Sequence, residues 1–167
     1  MKTVEYHLGR EEAKELLGRI DQALSSLDTK ATLDEVVKLL NGNVPSYTWV
    51  GVYTMNDGAL HLAAWSGPAP TVHDTIPLGK GVCGYAAKAG RTEIVSDVSK
   101  DPRYLECFLS TKSEIVVPIF AGGKVVGELD IDGDVLGAFS TTDKEFLEAV
   151  ARKISAHWPI QSPPQLR

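Results

Sequence analysis

The sequence predicts an α+β fold in which helices at both ends of the chain pack on a mainly antiparallel sheet. Helical periodicity is confined to the two ends of the chain. Between the ends, β-branched and aromatic runs alternate with glycine-rich turns. Two pairs of these runs are close enough to form hairpins, around Asn56-Asp57-Gly58 and around Ala121-Gly122-Gly123.

The 167 residues are long enough for one substantial core. We expect a single domain over residues 1–158, with N-terminal helices within 10–43 and the remaining core over 47–156. Residues 159–167, rich in proline and glutamine, are predicted to be a disordered tail.

The charge and the cysteine content exclude several classes of protein. A net charge of −5 and a pI near 5.3 are unsuited to binding nucleic acid, because few phosphates would be neutralised. No apolar run approaches the roughly 20 residues of a membrane span. The N-terminus turns acidic before any apolar region, so we expect no signal peptide and a cytoplasmic location. Two cysteines in such a protein are not expected to form a permanent structural disulfide.

The helices are predicted from apolar spacing and capping patterns. Residues 10–27 repeat apolar side chains at helical intervals, and this amphipathic helix could contact a partner subunit in a homodimer. A second helix is expected to open at the capping-box pattern of residues 32–35 and to end at 41–43. A short helix over 82–88 ends at Gly90, and a last helix opens with Thr142 and Glu145 as a capping box.

Strands are predicted over residues 47–55, 59–65, 92–95, 113–120 and 124–131. Residues 67–75 have the composition of a loop, and 99–111 are expected to be irregular with about one helical turn.

Cys83 is predicted in the first turn of the helix that follows Gly79-Lys80-Gly81. The positive end of the helix dipole and the Lys80 ammonium would lower the pKa of its thiol, which favours the reactive thiolate. The alternative is that Cys83 is a small buried apolar residue beside Gly84. Sequence reasoning leaves both interpretations open.

Cys107 lies in the irregular segment, where Glu106 would raise the pKa of its thiol. The two cysteines lie 24 positions apart, a spacing that fits neither a CxxC motif nor a zinc site. The four histidines are scattered along the sequence, so we expect no metal. We also expect no bound cofactor, because the Gly79-x-Gly81-x-x-Gly84 match to a dinucleotide fingerprint lacks the long crossover helix.

Three carboxylates share one face of the strand over 124–131 and its end: Glu128, Asp130 and Asp132. Such a face is either exposed to solvent or binds a cation, here an ammonium group. Glu114 would join it only in one strand register. A regular two-residue turn at Gly122-Gly123 would put Glu114 on the opposite face, so the hypothesis requires a three-residue loop or a β-bulge in this hairpin.

Trp49 and Tyr53 share a face of the first strand. Aromatic side chains at this spacing are usually core residues, but they could also form a wall of a pocket and shield an apolar thioether.

Five stretches over residues 47–154 resemble a GAF domain, and in particular the free methionine-(R)-sulfoxide reductase family. They are WVGVY (49–53), IPLGKGVCG (76–84), SEIVVPI (113–119) with a cysteine seven residues before its glutamate, VVGELDID (125–132) and GAFSTTDKEFL (137–147). The last stretch is general to GAF domains, and GVCG, the cysteine and LDID are more particular to the reductases.

The resemblance implies a GAF-like fold and a role for each matching residue. Cys107 would attack the sulfoxide sulfur, and Cys83 would then form a disulfide that external thioredoxin reduces. The carboxylates of Glu114, Asp130 and Asp132 would bind the amino group and the sulfoxide oxygen. Trp49 and Tyr53 would enclose the methyl end of the substrate.

The sequence departs from this family at one position. Its members typically carry a third cysteine ten residues before the one in GVCG, where this chain has His73. The surrounding loop is also about two residues longer. Cys83 and Cys107 are therefore the only pair that could form the disulfide. Two functions follow as hypotheses: reduction of free methionine-(R)-sulfoxide, or small-molecule binding by a non-catalytic GAF sensor module.

Overall fold

The computed structural model describes residues 6–25 and 29–158, which form four α-helices and one six-stranded sheet. The helices are α1 (Arg10–Leu24), α2 (Thr29–Asn43), α3 (Gly81–Ala89) and α4 (Thr141–Ala156). The strands are β1 (Trp49–Asn56), β2 (Ala59–Ser66), β3 (Thr75–Pro77), β4 (Glu93–Val95), β5 (Ser113–Ala121) and β6 (Lys124–Gly133). The strand order is β3-β2-β1-β6-β5-β4, and every neighbouring pair is antiparallel. The predicted α+β class is confirmed.

One face of the sheet packs against α1, α2 and α4. Leu129 and Ile131 of β6 point to this side, where they join a core that includes Ile20 of α1, Leu40 of α2 and Leu147 of α4. The apolar residues predicted for α4 are all buried: Phe146, Leu147, Val150 and Ile154. The apolar face of α1 is also covered, by α2 and α4 of the same chain. It therefore gives no support for a homodimer, which stays a prediction.

The other face of the sheet carries a second apolar cluster, centred on α3. Trp49 and Tyr53 of β1 belong to it together with Cys83 of α3 and Val116 of β5. Because side chains alternate along a strand, Glu114 and Asp130 point to this face as well. All the candidate site residues except Cys107 thus belong to α3 or to the face of the sheet that α3 covers.

Three details of the predicted elements were wrong. The second helix begins at Thr29, one turn before the predicted capping box. The last helix is capped by Ser140, whose hydroxyl accepts a hydrogen bond from the Asp143 backbone N–H, two residues before the expected box. Asp143 also bonds the buried Tyr47 hydroxyl, at 2.7 Å, so a tertiary contact helps to fix this cap. The short strand β3 lies at the end of what sequence composition assigned to a loop.

The hairpin between β5 and β6 has the irregularity that the acidic-site hypothesis requires. Ala121 pairs with Lys124 across a two-residue Gly122-Gly123 turn, and the register shifts by one residue before Ile119 pairs with Gly127. Val126 is therefore a β-bulge. The shift sets Glu114 opposite Asp132, on the face of the other carboxylates, so the predicted bulge is confirmed.

Two predicted segments lie outside the described residues: the proposed tail at 159–167 and the end of the first predicted helix at 26–27. Within the described residues, no helix is both long and apolar enough to cross a membrane.

Candidate active site

The floor of the candidate site is formed by three neighbouring strands, whose side chains line up in rows across the sheet. In the first row Trp49 pairs with Asp132, which pairs with Glu114. The next two rows are Gly51–Asp130–Val116 and Tyr53–Glu128–Pro118. Four carboxyl groups and two aromatic rings therefore share one patch of the sheet. In each row the middle residue belongs to β6: Asp132, Asp130 or Glu128.

Gly51 makes this arrangement possible because it lies between the two aromatic residues. A Cβ atom at Gly51 would lie 2.4 Å from the indole ring of Trp49, a distance that real Cβ atoms do not adopt. The Trp49 ring thus lies over Gly51 and beside Asp130, its diagonal neighbour.

Helix α3 covers the floor and carries Cys83 in its first turn. The thiol is only 4% exposed, and it donates to Glu114 Oε1 at 3.8 Å. Gly84 brings the start of this helix close to the preceding loop, because a Cβ there would lie 2.5 Å from the Pro77 carbonyl oxygen. The small-residue interpretation of this region is correct in that Cys83 is buried.

The loop over residues 67–74 closes one side of the site and is tied to both aromatic residues. The Trp49 indole N–H donates to the Ala69 carbonyl oxygen at 3.1 Å, and the Tyr53 hydroxyl donates to that of His73 at 2.9 Å. Between these two anchors, Thr71 Oγ1 donates to the Cys107 sulfur at 3.2 Å. Trp49 and Tyr53 therefore help to hold this loop in place. Sequence reasoning did not anticipate this role.

The irregular segment over residues 101–112 closes the other side. Phe108 packs on the Trp49 ring, with centroids 6.2 Å apart, and Thr111 Oγ1 donates to Asp132 Oδ2 at 3.2 Å. The Tyr104 hydroxyl is buried and has no hydrogen-bond partner within the described residues. Cys107 belongs to this segment and is only partly buried. These contacts bring the segment onto the acidic floor.

The four carboxyl groups are nearly inaccessible to solvent, with Glu128 at 0% and Asp130 the most exposed at 6%. Burial raises the pKa of each of them, and the charge on Asp130 raises the pKa of Glu114, Glu128 and Asp132 further. The predicted alternative of a solvent-exposed acidic face is thus wrong. Because charges so close together cannot all persist without a cation, protons are shared among these groups.

Both thiols lie beside this acidic cluster, and burial together with the cluster favours their protonated form. Burial raises the pKa of the Cys83 thiol well above its ordinary value, and Asp130, Glu128 and Glu114 raise it further. The expectation that the helix dipole and Lys80 would lower it is wrong, because desolvation and the carboxylates outweigh them. Burial also raises the pKa of the Cys107 thiol to about 11, against the opposing hydrogen bond from Thr71. Asp130 and Asp132 raise this pKa further, whereas Glu106 is not among the causes.

Unpaired oxygen atoms show where a ligand would bind. Within the described residues, Asp130 Oδ1 and both carboxyl oxygens of Glu128 have no hydrogen-bond partner. Ligand-type atoms of Cys83, Glu114 and Asp130 lie within 4.8 Å of one another. This group could accept hydrogen bonds from an ammonium group or hold a divalent cation. That the protein needs no metal stays a prediction.

The same irregular segment borders a surface cavity of about 850 Å³. Tyr104, Phe108 and Thr111 border it, and so do Val135 and Leu136 from the loop after β6. None of the four carboxyl groups lines it. Thr111 thus borders this cavity and also donates to Asp132 of the acidic site.

The structure brings together all seven residues that the sequence nominated: Trp49, Tyr53, Cys83, Cys107, Glu114, Asp130 and Asp132. It also adds Glu128, which sequence reasoning placed in the acidic face but not in the site, and Thr71, Tyr104 and Thr111. Thr71 and Tyr104 come from irregular segments, where neither spacing nor composition signals a role.

Comparison with known proteins agrees with this fold. A family model described as GAF domain matches residues 29–157. The protein is therefore a GAF domain, with a buried acidic cluster and two thiols on the side of the sheet that α3 covers.

Several relatives carry a more specific name. The free methionine-R-sulfoxide reductase of Escherichia coli (strain K12) is 31% identical over 83% of this chain and 84% of its own length. A crystal structure of the free methionine-R-sulfoxide reductase from Neisseria meningitidis, in complex with its substrate, is 30% identical. It superposes with a TM-score of 0.84 over 96% of this chain and 97% of that one. The type II enzyme from Thermoplasma acidophilum is 35% identical, with a TM-score of 0.75 over 83% and 94%. The chain belongs to the free methionine-R-sulfoxide reductase family of GAF domain proteins.

Proposed function

We propose that this protein reduces free L-methionine-(R)-sulfoxide to methionine by thiol chemistry. The observation that supports the proposal is that the Cys83 thiol donates to Glu114 of the buried acidic cluster at 3.8 Å, while Asp130 adds to the effect of burial in raising the pKa of both thiols. Relatives that share the fold over most of their length are named for this reaction. The proposal covers the thiol mechanism, thioredoxin as the external reductant, and a cytoplasmic location.

The acidic cluster would bind the ammonium group of the substrate and assist the reaction at the sulfoxide. An ammonium group next to Asp130 would stabilise the ionised carboxylates and would donate hydrogen bonds to oxygen atoms that have no hydrogen-bond partner within the described residues. A carboxyl group that keeps its proton can donate a hydrogen bond to the sulfoxide oxygen. Because burial raises the pKa of Glu114 and of Asp132, each keeps its proton to a higher pH than an exposed carboxyl does, and either can be this donor.

Cys107 is the proposed nucleophile because its thiol is the more accessible of the two. Its thiolate attacks the sulfur atom of the sulfoxide while the sulfoxide oxygen takes a proton from a neighbouring carboxyl group. The S–O bond of the substrate then breaks, the oxygen passes to the Cys107 sulfur, and the S–S bond formed in the attack breaks to release methionine. In sum, one thiol and one sulfoxide give one sulfenic acid and one thioether, with Cys107 oxidised and methionine sulfoxide reduced.

Cys83 is proposed to restore Cys107. Its thiol condenses with the sulfenic acid to form a Cys83–Cys107 disulfide, and one water molecule leaves. The disulfide is reduced by two thiols of thioredoxin through ordinary thiol–disulfide exchange. This assignment requires the two Cα atoms to come within about 7 Å of each other in the reacting state.

The test is a coupled assay with free L-methionine-(R)-sulfoxide, thioredoxin, thioredoxin reductase and NADPH. We expect NADPH oxidation by the wild-type protein and none above background by Cys107→Ser. The (S)-sulfoxide and a peptide that contains methionine-(R)-sulfoxide serve as substrate controls and should react poorly. Equal background rates for the wild type and Cys107→Ser would contradict the proposed reaction.

The alternative is a GAF module that binds a small molecule without turnover. The same buried carboxyl groups would bind an amino acid in that case, and no thiol would change its oxidation state. Calorimetric binding of methionine sulfoxide, without oxidation of either cysteine by mass spectrometry, would favour this alternative over the enzyme.

A further inference from the structure

We propose that Thr71 is the residue that stabilises the Cys107 thiolate, by donating a hydrogen bond from its hydroxyl to the sulfur. The proposal rests on the proposed function in naming Cys107 as the reacting thiol. Thr71 lies in the loop where this chain has His73, and no family motif covers it.

The orientation of the Thr71 hydroxyl is fixed by its two hydrogen bonds. The backbone N–H of His73 donates to Thr71 Oγ1 at 3.0 Å, which occupies a lone pair of the oxygen. The hydroxyl hydrogen is then directed at the Cys107 sulfur, 3.2 Å from the oxygen. The thiol in turn points to the Leu105 carbonyl oxygen, at 3.6 Å. When Cys107 ionises, the bond to Leu105 is lost, and the bond from Thr71 becomes a stronger, charge-assisted one.

The loop that carries Thr71 is held on both sides of this residue. Trp49 anchors it at Ala69 and Tyr53 anchors it at His73, each through a side-chain donor and a backbone acceptor. The ring of His73 also lies 3.2 Å from the Glu106 carbonyl oxygen, next to Cys107. The loop and the segment that carries the thiol are therefore connected at two points, and Thr71 lies between the anchors.

A thiolate at this position needs such a donor. Burial and the charges on Asp130 and Asp132 raise the pKa of the Cys107 thiol and so oppose its ionisation. The Thr71 hydrogen bond lowers this pKa. No lysine or arginine is among the groups that shift the pKa of the Cys107 thiol. A hydroxyl stabilises the thiolate without adding a positive charge that would compete with the substrate ammonium for the carboxylates.

The test is the pH dependence of Cys107 alkylation by iodoacetamide in the reduced protein, which needs no sulfoxide reductase activity. Rapid mixing limits the time at high pH, and peptide mass spectrometry separates Cys107 from Cys83. Thr71→Val should raise the apparent pKa of Cys107 by roughly one unit. At about pH 8 the fraction of Cys107 present as thiolate should fall about tenfold. A thiolate of higher pKa is the stronger nucleophile, so the alkylation rate should fall only about threefold.

Matched variants separate the hydroxyl from the shape of the loop. Thr71→Ser keeps the donor and should keep the wild-type pH profile. Val72→Ala changes an exposed side chain of the same loop and should also leave the profile unchanged. If Thr71→Val does not fold, Thr71→Ala provides the same comparison. A wild-type profile in the folded hydroxyl-free variant, or an equal shift in Thr71→Ser, would overturn the proposal.

A different observation, the unpaired hydroxyl of Tyr104, carries a second proposal. We infer that Tyr104 donates a hydrogen bond to the α-carboxylate of a free amino acid substrate, and this inference also rests on the proposed function. The Tyr104 hydroxyl is buried without a partner in the described part of the chain. Burial raises the pKa of Tyr104, and Asp132, Glu114 and Cys107 raise it further, against an opposing contact from the Thr111 hydroxyl to the Tyr104 oxygen. The Tyr104 hydroxyl therefore lies within the acidic site and keeps its own proton to donate.

The substrate carboxylate needs a donor in a site that otherwise repels it. No lysine or arginine is among the groups that shift the pKa values of the four buried carboxyls. The other side-chain donors at the site already have acceptors, namely Trp49 with Ala69, Tyr53 with His73, Thr71 with Cys107 and Thr111 with Asp132. Among these, Tyr104 is the side chain whose hydroxyl has no acceptor until a ligand is bound.

The test compares two ligands that differ only in the carboxylate. Calorimetry measures binding of L-methionine and of 3-(methylthio)propylamine to the wild type and to Tyr104→Phe. The variant should bind methionine roughly tenfold or more weakly and the amine as tightly as the wild type does. An equal loss for both ligands, or no loss for methionine, would overturn the role of Tyr104. Failure of the wild type to bind either ligand would instead contradict the proposed function itself.

Discussion

Glu114 on β5 lies directly opposite Asp132 on β6, and this pairing depends on the bulge at Val126. Without the bulge, Glu114 would point into the apolar core shared with α4, and Ile115 would lie over the site. One extra residue near the hairpin turn therefore decides whether the acidic site has three carboxyl groups or four.

We expect Gly127→Ala to destabilise the protein, because Gly127 follows the bulge and lies against β1. Its Cβ would be 2.3 Å from the Tyr53 carbonyl oxygen, which is backbone and cannot turn away. The free energy of unfolding should fall by about 1–3 kcal/mol in urea denaturation. Gly18→Ala, at an exposed position of α1 with open space around it, should instead raise it by about 0.5–1 kcal/mol. Equal stability of Gly127→Ala and the wild type would show that the two strands can separate at little cost.

Asp130→Asn should impair substrate binding and leave the fold intact. The change removes the charge from the centre of the floor but preserves the size of a side chain whose Oδ1 has no partner in the described residues. We expect KM for methionine sulfoxide to rise roughly tenfold to 100-fold, because this range corresponds to the free energy of a hydrogen bond to a charged group. The melting temperature should stay the same or rise, since a buried carboxyl is costly near neutral pH.

Asp57→Asn is the matched control for that variant, because it makes the same chemical change at an exposed turn between β1 and β2. It should change neither KM nor the melting temperature. A large loss of stability in Asp130→Asn would mean that the carboxylate has a structural role.

The ligand-free protein should become more stable as the pH is lowered from about 7 to about 5. Burial raises the pKa of Glu114, Glu128, Asp130 and Asp132 in the folded state, so above about pH 4 the native state binds more protons than the unfolded one. Their contribution to stability is therefore fully present below about pH 4 and is lost as the pH rises through the folded-state pKa values. Differential scanning calorimetry across this range measures the effect.

Glu128→Gln provides the comparison, because it removes one fully buried titrating group. Its melting temperature should depend less on pH in the same window. Partially exposed acids such as Asp101, whose pKa is lowered by the hydrogen bond from Arg103, act in the opposite direction only at more acidic pH. A wild-type melting temperature that falls steadily from about pH 7 to about pH 5 would contradict protonation of the cluster.

The sequence predicted those parts of the site that depend on strand periodicity. The alternation of side chains put Asp130 and Asp132 on one face, and counting residues through the hairpin was enough to require a bulge. Both arguments use only the period of two and the turn length, which sequence shows directly.

The protonation of the thiols could not be predicted in the same way. Sequence places Cys83 at a helix N-terminus, which favours the thiolate, but the effect of burial among Glu114, Glu128 and Asp130 depends on tertiary packing. The contact between Thr71 and Cys107 joins two irregular segments that are 36 residues apart. No local pattern encodes such a contact, and the anchors from Trp49 and Tyr53 appear only once the chain is folded.

Cys83→Ser should permit one round of reduction and prevent efficient recycling. We expect wild type and variant each to release about one methionine per chain when methionine-(R)-sulfoxide is added without reductant. In the variant, Cys107 should stay as a sulfenic acid that dimedone can trap, whereas the wild type should lose two hydrogen atoms through a Cys83–Cys107 disulfide. Steady-state turnover with thioredoxin should then fall in the variant.

Cys107→Ser is the control for this experiment and should release no methionine, because it lacks the thiol that attacks the sulfoxide. The intact masses before and after addition of substrate distinguish the sulfenic acid, the disulfide and the reduced chain. Cys83 would lose its proposed role if the wild type accumulated a trappable sulfenic acid and recycled no faster than Cys83→Ser. The burial of Cys83 at 4% exposure would then serve packing alone, and an external thiol would have to reduce Cys107 directly.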